Sequence, residues 1–495
     1  MKIAIGMVVR NLLSASPLTE FLDNAEKYGH LIDRVIVAYS HQLAPEAAAV
    51  LQSRTKLSLI RLQEFGRAYL ILKAIGVPYA SLRELLFCPL IDTHGLIPYG
   101  FNRNQVLMEA MFTEADVLIF VDSDVLPSVL RRMPDGSVRP CEVDFVGAHL
   151  GGMVMGADIT SSDYSGYNIL PPARFDGMTE LLWGLHKEAM AEFWQSSMAT
   201  GGMLLQEGDA GKPTPTTKVL GGNLGLRMRA FPTLPPFFSP YYFFDRTPLL
   251  ARGEDTLLGL AADQYHIKCV DIRTPIFHDT YGSYPAVPEL LKDGAVRDRL
   301  YYACTGWIGR NVFSRWKTGH TASEFAQRDQ QLSAGAKALC RYTKDRRFLR
   351  LPEIQSAAES WLPDMIRQYQ RSRGGMDRVY RKVVWTMKVL LINHFPLEGS
   401  GSGTYTKNIA LHLQKRGHEV CVVFPENQPF SLLPGIRMYP VLFSRNKPQK
   451  NALPFNFPCF TTHPQSRTTF ADLGVAKLTQ YHACSKNSLI LATPA

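Results

Sequence analysis

Apolar and polar residues alternate along this chain with two periods, one close to two and one close to 3.6. Residues 3–9 form an apolar run that predicts a strand, ending at Arg10-Asn11. Residues 16–28 read as a helix closed by Gly29. Residues 33–40 give a second strand, the Ala-rich stretch 45–54 a second helix, and 57–62 a third strand. Such alternation predicts an α/β fold on a doubly wound sheet. Residues 64–98 are apolar and partly helical, broken at Pro78, Pro89 and Pro98. A helix over 101–113 puts Asn102, Arg103 and Asn104 in its first turn. It leads into Val117–Val121, a short continuous apolar run that predicts a strand buried on both faces.

Further on, 145–147 and 152–155 suggest short strands, 161–175 a loop and 179–198 a helix. Residues 208–217 are rich in Gly, Pro and Thr and read as a loop. The stretch 218–228 contains Gly221-Gly222-Asn223-Leu224-Gly225, whose glycines let another group approach the backbone closely. An aromatic loop is expected over 237–244, a helix over 255–264 opened by Glu254 and Asp255, and a strand over 267–276 running into Phe277-His278-Asp279. Only helical patterns follow, to about residue 370. A second β-α-β opening then begins. It has a strand over 387–394, the turn Gly399-Ser400-Gly401-Ser402-Gly403, a helix over 404–416 capped by Gly417, and a strand over 419–424. Residues 445–495 show weak periodicity.

The bulk numbers narrow the class. The 495 residues are 46% hydrophobic and 20% charged, ordinary for a globular chain of two or three domains. No apolar run reaches the length of a spanning helix, and the first ten residues are too short and too soon charged for a signal peptide. The eight cysteines are scattered without a Cys-x-x-Cys pair, which fits free thiols in a reducing cytoplasm. The formal charge of +10 is uneven. Residues 341–382 hold eleven Lys/Arg against five Asp/Glu. Such a segment suits peripheral contact with anionic headgroups or an anionic acceptor, or else is a solvated helical linker. No basic–aromatic interleaving is present, so nucleic acid is not an expected partner.

The chemistry gathers at Asp122-Ser123-Asp124, at the carboxyl end of the predicted buried strand. That end of an α/β sheet is where ligands bind. Paired carboxylates there suit Mg²⁺ or Mn²⁺, which grip a diphosphate; an Asp-rich turn is the plainer alternative. Three other features accompany it. Arg252-Gly253-Glu254-Asp255 is either a simple helix cap or a source of a carboxylate base beside a sugar. His278, at a strand end, is either a structural histidine or an imidazole completing a Mn²⁺ site. Arg103 is placed to pair with phosphate or ribose, or to lie in a solvated first turn.

Taken in order, Arg10-Asn11 after a strand, the Arg103-Asn104 helix, Phe120-Val121-Asp122-Ser123-Asp124, Gly221-Gly222-Asn223, Gly253-Glu254-Asp255 and a late His278 resemble a nucleotide-sugar-dependent glycosyltransferase of GT-A fold. The pattern is similar to the glycosyltransferase 2 superfamily and to mannosylglycerate and glucosylglycerate synthases, over about residues 1–310. The resemblance implies a Rossmann-like mixed sheet sandwiched by helices, with Asp122, Asp124 and His278 as metal ligands. It also implies Glu254 or Asp255 near the acceptor, and Arg10, Asn11, Arg103, Asn104, Asp122, Gly222 and Asn223 near the nucleotide. The cofactors implied are Mn²⁺ or Mg²⁺ with a nucleotide-sugar donor, and the partner a hydroxyl acceptor. Retention or inversion stays open, as does the oligomeric state.

Residues 401–422 resemble the start of group-1 glycosyltransferases of GT-B architecture, without the second domain that carries the donor site. The expectation is a GT-A domain over 1–335, a basic helical linker over 336–386, and a truncated GT-B-like segment over 387–495, the product of two fused reading frames or a docking domain. A nucleotidyltransferase is the competing enzyme class. It usually carries a Gly-rich loop after its first strand, absent from Met7-Val8-Val9-Arg10. A non-catalytic scaffold is the third reading.

Overall fold

The computed structural model describes residues 1–61, 66–88, 97–167, 169–191, 212–318, 322–383, 388–415, 418–426, 430–442 and 472–480, with a few single positions between them. The chain divides into two compact units, Met1–Arg378 and Val379–Ala495. The stretch 445–495 apart from residues 472–480 and 482–483, the stretch 192–211 apart from single positions, and the expected cap Gly417 lie outside the described residues.

The first unit opens with β1 (Ile3–Leu12), α1 (Leu18–Lys27), β2 (Arg34–Leu43), α2 (Pro45–Arg54) and β3 (Lys56–Arg61). Two short helices, α3 (Arg67–Ala74) and α4 (Tyr79–Leu86), precede α5 (Tyr99–Phe112) and β4 (Val117–Val121). Strands β1, β2, β3 and β4 are parallel, as the alternation of strands with helices predicts. Within β1 the side chains alternate between two layers. Ile3, Ile5, Met7 and Val9 join one buried cluster with Phe21 and Phe145. Gly6 faces α5 instead, where a Cβ would come within 2.6 Å of Val106 Cγ1. Glycine at that position lets α5 lie close against the sheet.

The chain continues through β5 (Val125–Leu126), β6 (Ser128–Arg132) and β7 (Val138–Glu142) to α6 (Phe145–Val154). Here the expected strands at 145–147 and 152–155 are one helix. Short apolar runs do not distinguish the two periods. Asp144 decides the matter: its carboxylate accepts from the Gly147 amide at 2.8 Å and caps the first turn. The expected loop over 161–175 is likewise part strand, with β8 (Ile159–Ser161) and β9 (Tyr164–Tyr167) on either side of a short turn. Their pairing is with distant segments, which local propensity does not register.

Next come α7 (Met178–Gly184), β10 (Thr214–Pro215) and β11 (Asn223–Arg227). The expected aromatic loop ends in a hairpin of β12 (Tyr241–Phe244) and β13 (Thr247–Leu250). Its turn residues Asp245 and Arg246 both have positive φ, 48° and 65°, as a two-residue hairpin turn requires. After α8 (Glu254–Gln264), the single strand expected over 267–276 is two, β14 (Cys269–Asp271) and β15 (Ile276–Asp279). Arg273, at φ 55°, breaks the run, and its amide is held by Asp271 Oδ1 at 2.8 Å.

The main sheet has the order β10-β14-β8-β11-β4-β1-β2-β3, with β11 antiparallel to β4 and β8. It is a mixed α/β sheet flanked by helices. Strand β15 leaves it to pair with β5 and β9 in a small separate sheet.

Four helices follow, α9 (Gly294–Thr318), α10 (Ala322–Thr343), α11 (Leu351–Ser360) and α12 (Leu362–Val383). Much of the expected linker over 336–386 is core. Leu339, Phe348, Leu351, Ile354, Ala358, Met365 and Tyr369 pack with Phe313 and Trp307 in one buried cluster. Its cations sit on the outer faces of helices whose inner faces are apolar. Charge counts do not reveal that amphipathicity. Among the described residues no helix is long and apolar enough to cross a membrane.

The second unit holds β16 (Lys388–Ile392), α13 (Gly401–Lys415), β17 (Glu419–Glu426) and β18 (Ile436–Leu442) in a parallel sheet of order β16-β17-β18. Ser400 Oγ accepts from the Gly403 amide at 2.9 Å, so the Gly-rich turn caps α13.

Candidate active site

Strand β4 pairs with β1 through Met7 opposite Val121. Asp122, Ser123 and Asp124 therefore emerge at the carboxyl end of the parallel strands. Arg10 and Asn11 lie beyond Met7 toward that same end, and both are exposed. Asn11 Oδ1 accepts from the Gln42 amide at 3.1 Å.

His278 reaches this edge through strand pairing. In the small sheet His278 sits opposite Val125, and the Asp279 amide donates to the Asp124 carbonyl at 2.9 Å. The result brings His278 Nε2 within 3.3 Å of Asp124 Oδ2. Burial raises the cost of the Asp124 charge, yet the positive field and hydrogen bond of His278, with help from Arg299, hold its pKa below the ordinary value. The same pairing, through the Asp124 charge, outweighs burial at His278 and raises its pKa.

Asp122 has a different partner. Arg103 is buried, with its side chain 3% exposed. Its Nη2 donates to Asp122 Oδ1 at 2.9 Å, its Nε to Glu254 Oε1 at 3.0 Å and its Nη1 to the Gly221 carbonyl at 2.8 Å. The guanidinium carbon lies 5.0 Å from the Phe120 ring and 5.9 Å from that of Phe237. A Cβ on Gly221 would fall 2.3 Å from Arg103 Nη2, and one on Gly222 2.6 Å from Asp122 Oδ2. The two glycines are what allow this approach. Burial raises the pKa of both Asp122 and Glu254, and Arg103 opposes the shift.

The two acids at the start of α8 divide. Glu254 is buried and tied to Arg103. Asp255 is half-buried; its Oδ2 accepts from the Gly221 amide at 2.8 Å and its Oδ1 from the Thr256 amide at 2.7 Å. Gly253, at φ 100°, turns the chain so that both acids enter the first turn.

Other predicted residues serve the frame. Asn104 is buried and spends its amide on backbone. It donates to the Leu85 and Phe237 carbonyls and accepts from the Phe237 amide at 2.9 Å. Asn223 is buried on β11 and donates to the Asp163 and Thr274 carbonyls. Asn102 is buried too, so the first turn of α5 is not the solvated one that its polarity suggests.

Tyr164 was hidden within the expected loop. Its hydroxyl accepts from the Gly222 amide at 2.8 Å, and its ring lies 4.5 Å from that of His278. Only the pairing of β9 with β15 brings it here, and no local pattern marks it.

Among the described residues, no group of three or more His, Cys, Asp or Glu side chains stands ready to hold a metal ion. Of the three expected ligands, Asp122 is paired with Arg103, and Asp124 with His278. The second pair fits a divalent ion. Neighbouring ligands of an octahedral ion with bonds of about 2.1 Å lie about 3 Å apart, close to the observed separation. Such ions commonly take one or two protein ligands and fill the rest with phosphate and water.

No family model matches this chain, and no curated protein matches it. Among solved structures, it is similar to glucosyl-3-phosphoglycerate synthase from Mycobacterium tuberculosis in complex with Mn²⁺, UDP and phosphoglyceric acid. The identity is 12% and the TM-score 0.33, over 65% of this chain and 80% of that one. It is also similar to S. aureus TarS 1–349, at 12% identity and a TM-score of 0.30, over 74% of this chain and 92% of that one. At such scores neither likeness identifies the chain.

Proposed function

We propose that Met1–Arg378 is a glycosyltransferase that moves a sugar from a nucleoside-diphosphate donor to a hydroxyl acceptor, with Mn²⁺ or Mg²⁺. The observation that carries the proposal is the meeting of Asp124 and His278 at 3.3 Å, from residues 154 positions apart, at the carboxyl end of β4. A bound divalent ion would be held by these two and would offset the charge developing on a leaving diphosphate. Asp122, fixed by Arg103, presents its second oxygen to a ribose hydroxyl or to the ion. Asp255, more open than Glu254, is the acid within reach of an acceptor hydroxyl. It serves as base if the reaction inverts and as an orienting group if it retains. Exposed Arg10 and Asn11 lie at the same edge for the nucleotide.

The test is calorimetric titration of UDP, GDP and ADP with and without Mn²⁺. Metal-dependent binding is expected, weakened at least ~100-fold by Asp124→Ala. Binding and turnover of triphosphates would favour the nucleotidyltransferase reading, and no binding at all the scaffold reading. A screen of nucleotide sugars for slow Mn²⁺-dependent hydrolysis then names the donor.

We further propose a cytoplasmic enzyme that touches the inner face of a membrane through α12, where Arg367, Arg371 and Arg378 are exposed. Each such cation contributes about 1 kcal/mol of attraction to an anionic surface. Co-sedimentation with phosphatidylserine vesicles, lost at high salt, is the expected result; equal binding to neutral vesicles would end that idea. The second unit is proposed to lack transferase activity of its own.

A further inference from the structure

The Arg-Asn pair at the start of α5 invites a role in holding phosphate. The structure points elsewhere. We infer that Arg103 is a positioning residue, closed to substrate, whose guanidinium fixes Asp122, Glu254 and the Gly221 carbonyl as one unit. This goes beyond the function proposed above. Only its kinetic consequence rests on that reading.

Three observations support the assignment. The first is burial: with a side chain 3% exposed, the guanidinium has no open face toward the sheet edge. The second is commitment. Nε, Nη1 and Nη2 each donate to a different element: α8 through Glu254, the entry to β11 through Gly221, and the end of β4 through Asp122. To contact a phosphate, Arg103 would have to release a buried carboxylate, and the phosphate would not compensate the acid left behind. The third is shape. The planar fork lies by the rings of Phe120 and Phe237, and the absent side chain of Gly221 leaves it room. A lysine ammonium carries three donors on one atom and does not span three acceptors set around a plane.

The consequence is a division of labour. Asp122 has one oxygen occupied by Arg103, and Glu254 likewise. Each carboxylate is turned so that its other oxygen has a fixed direction. Loss of Arg103 leaves the buried Glu254 and the half-buried Asp122 sharing one region without a cation between them. Repulsion then reorients them, and Asp122 leaves its productive position although Asp124 and His278 stay in place.

The experiment is a pair of double-mutant cycles on the full chain. The first is read as thermal stability and needs no activity. Arg103→Met is expected to lower Tm by of order 5 °C. Adding Glu254→Gln should restore part of that loss, because the second substitution removes the stranded charge. Additive shifts, or an unchanged Tm in Arg103→Met, would overturn the clamp. Should Arg103→Met fail to fold, Arg103→Lys and Arg103→Gln are read in the same cycle.

The second cycle is read as the affinity for UDP with Mn²⁺, or for whichever diphosphate the wild type binds. If Arg103 acts through Asp122, Arg103→Lys weakens binding about tenfold in the wild-type background and less than twofold when Asp122 is already Asn. Equal losses in both backgrounds would mean direct phosphate contact and sink the inference. If the wild-type chain binds no diphosphate, the glycosyltransferase reading fails, and the stability cycle still decides the clamp.

Discussion

The chain opens twice on the same grammar. Residues Met1-Lys2 lead into β1, α1 and the parallel β2, while Lys388 opens β16, followed by α13 and the parallel β17. In the first unit the sheet grows to eight strands and its carboxyl end carries Asp122, Asp124 and, through a second sheet, His278. In the second, three parallel strands are described, and the segment between β16 and α13 carries glycines and serines with one exposed acid, Glu398, paired with Lys407. A β-α-β unit therefore supplies a place for chemistry without supplying the chemistry. The acids and the distant imidazole are what make the first edge a candidate catalyst.

The sharpest way to break that contrast is Asp255→Asn. Turnover should fall by roughly 10²–10⁴-fold while diphosphate affinity stays within about threefold, as steady-state kinetics and calorimetry would report. A loss confined to affinity would move Asp255 from the chemistry to the donor.

Next in size is a pair of core truncations. Phe348 and Phe424 are both fully buried, one in each unit. Replacing either by Ala should cost about 3–5 kcal/mol. In differential scanning calorimetry each should lower one transition and leave the other unmoved. A single transition responding to both would mean that the two openings fold as one body. For Phe348 the result also measures how far the basic segment around it is core, since a solvated linker would scarcely respond.

Legibility in the sequence follows from the range of the interactions. Strands β1, β2, β3 and β4 were visible because each is a local apolar run between helical stretches. Asp122 and Asp124 were visible because they end such a run. Arg103 was visible as a residue but not as a clamp. Its partners Gly221 and Glu254 are 118 and 151 positions away, and nothing local marks a buried arginine. Helix α6 was misread for the opposite reason. Its apolar residues leave no polar face to set the period, and a single capping acid, Asp144, outweighs them. Tyr164 was lost with β9, whose Ser and Gly residues have little strand propensity of their own.

A smaller effect sharpens the role of the glycines. Gly222→Ala would place a methyl group 2.6 Å from Asp122 Oδ2, and Asp122 is held by Arg103. Diphosphate affinity should drop about tenfold, as for other losses of ligand-orienting contacts, with little change in Tm. In the second unit Gly401, at the start of α13, has open space around its would-be Cβ. Gly401→Ala should leave both properties unchanged, which makes it the control.

The smallest effect is in pH. His278 has its pKa raised beside Asp124. A raised folded-state value means that its contribution to stability is complete below the unfolded value of about 6.5 and fades as pH rises through the folded one. Metal-free protein should thus lose a little Tm between pH 6 and 8, and His278→Gln should flatten that slope. Added Mn²⁺ should reverse it, because only the neutral imidazole is a ligand.

The kink at Arg273 has one further consequence. Because it ends β14 and lets β15 begin in another sheet, four residues, 272–275, set which side chain of Ile276–Asp279 meets Asp124. Neighbours along a strand face opposite ways, so inserting one residue there would turn the imidazole outward and bring Phe277 or Asp279 into its place. Length at that short joint, more than composition, decides whether this protein has a histidine where it needs one.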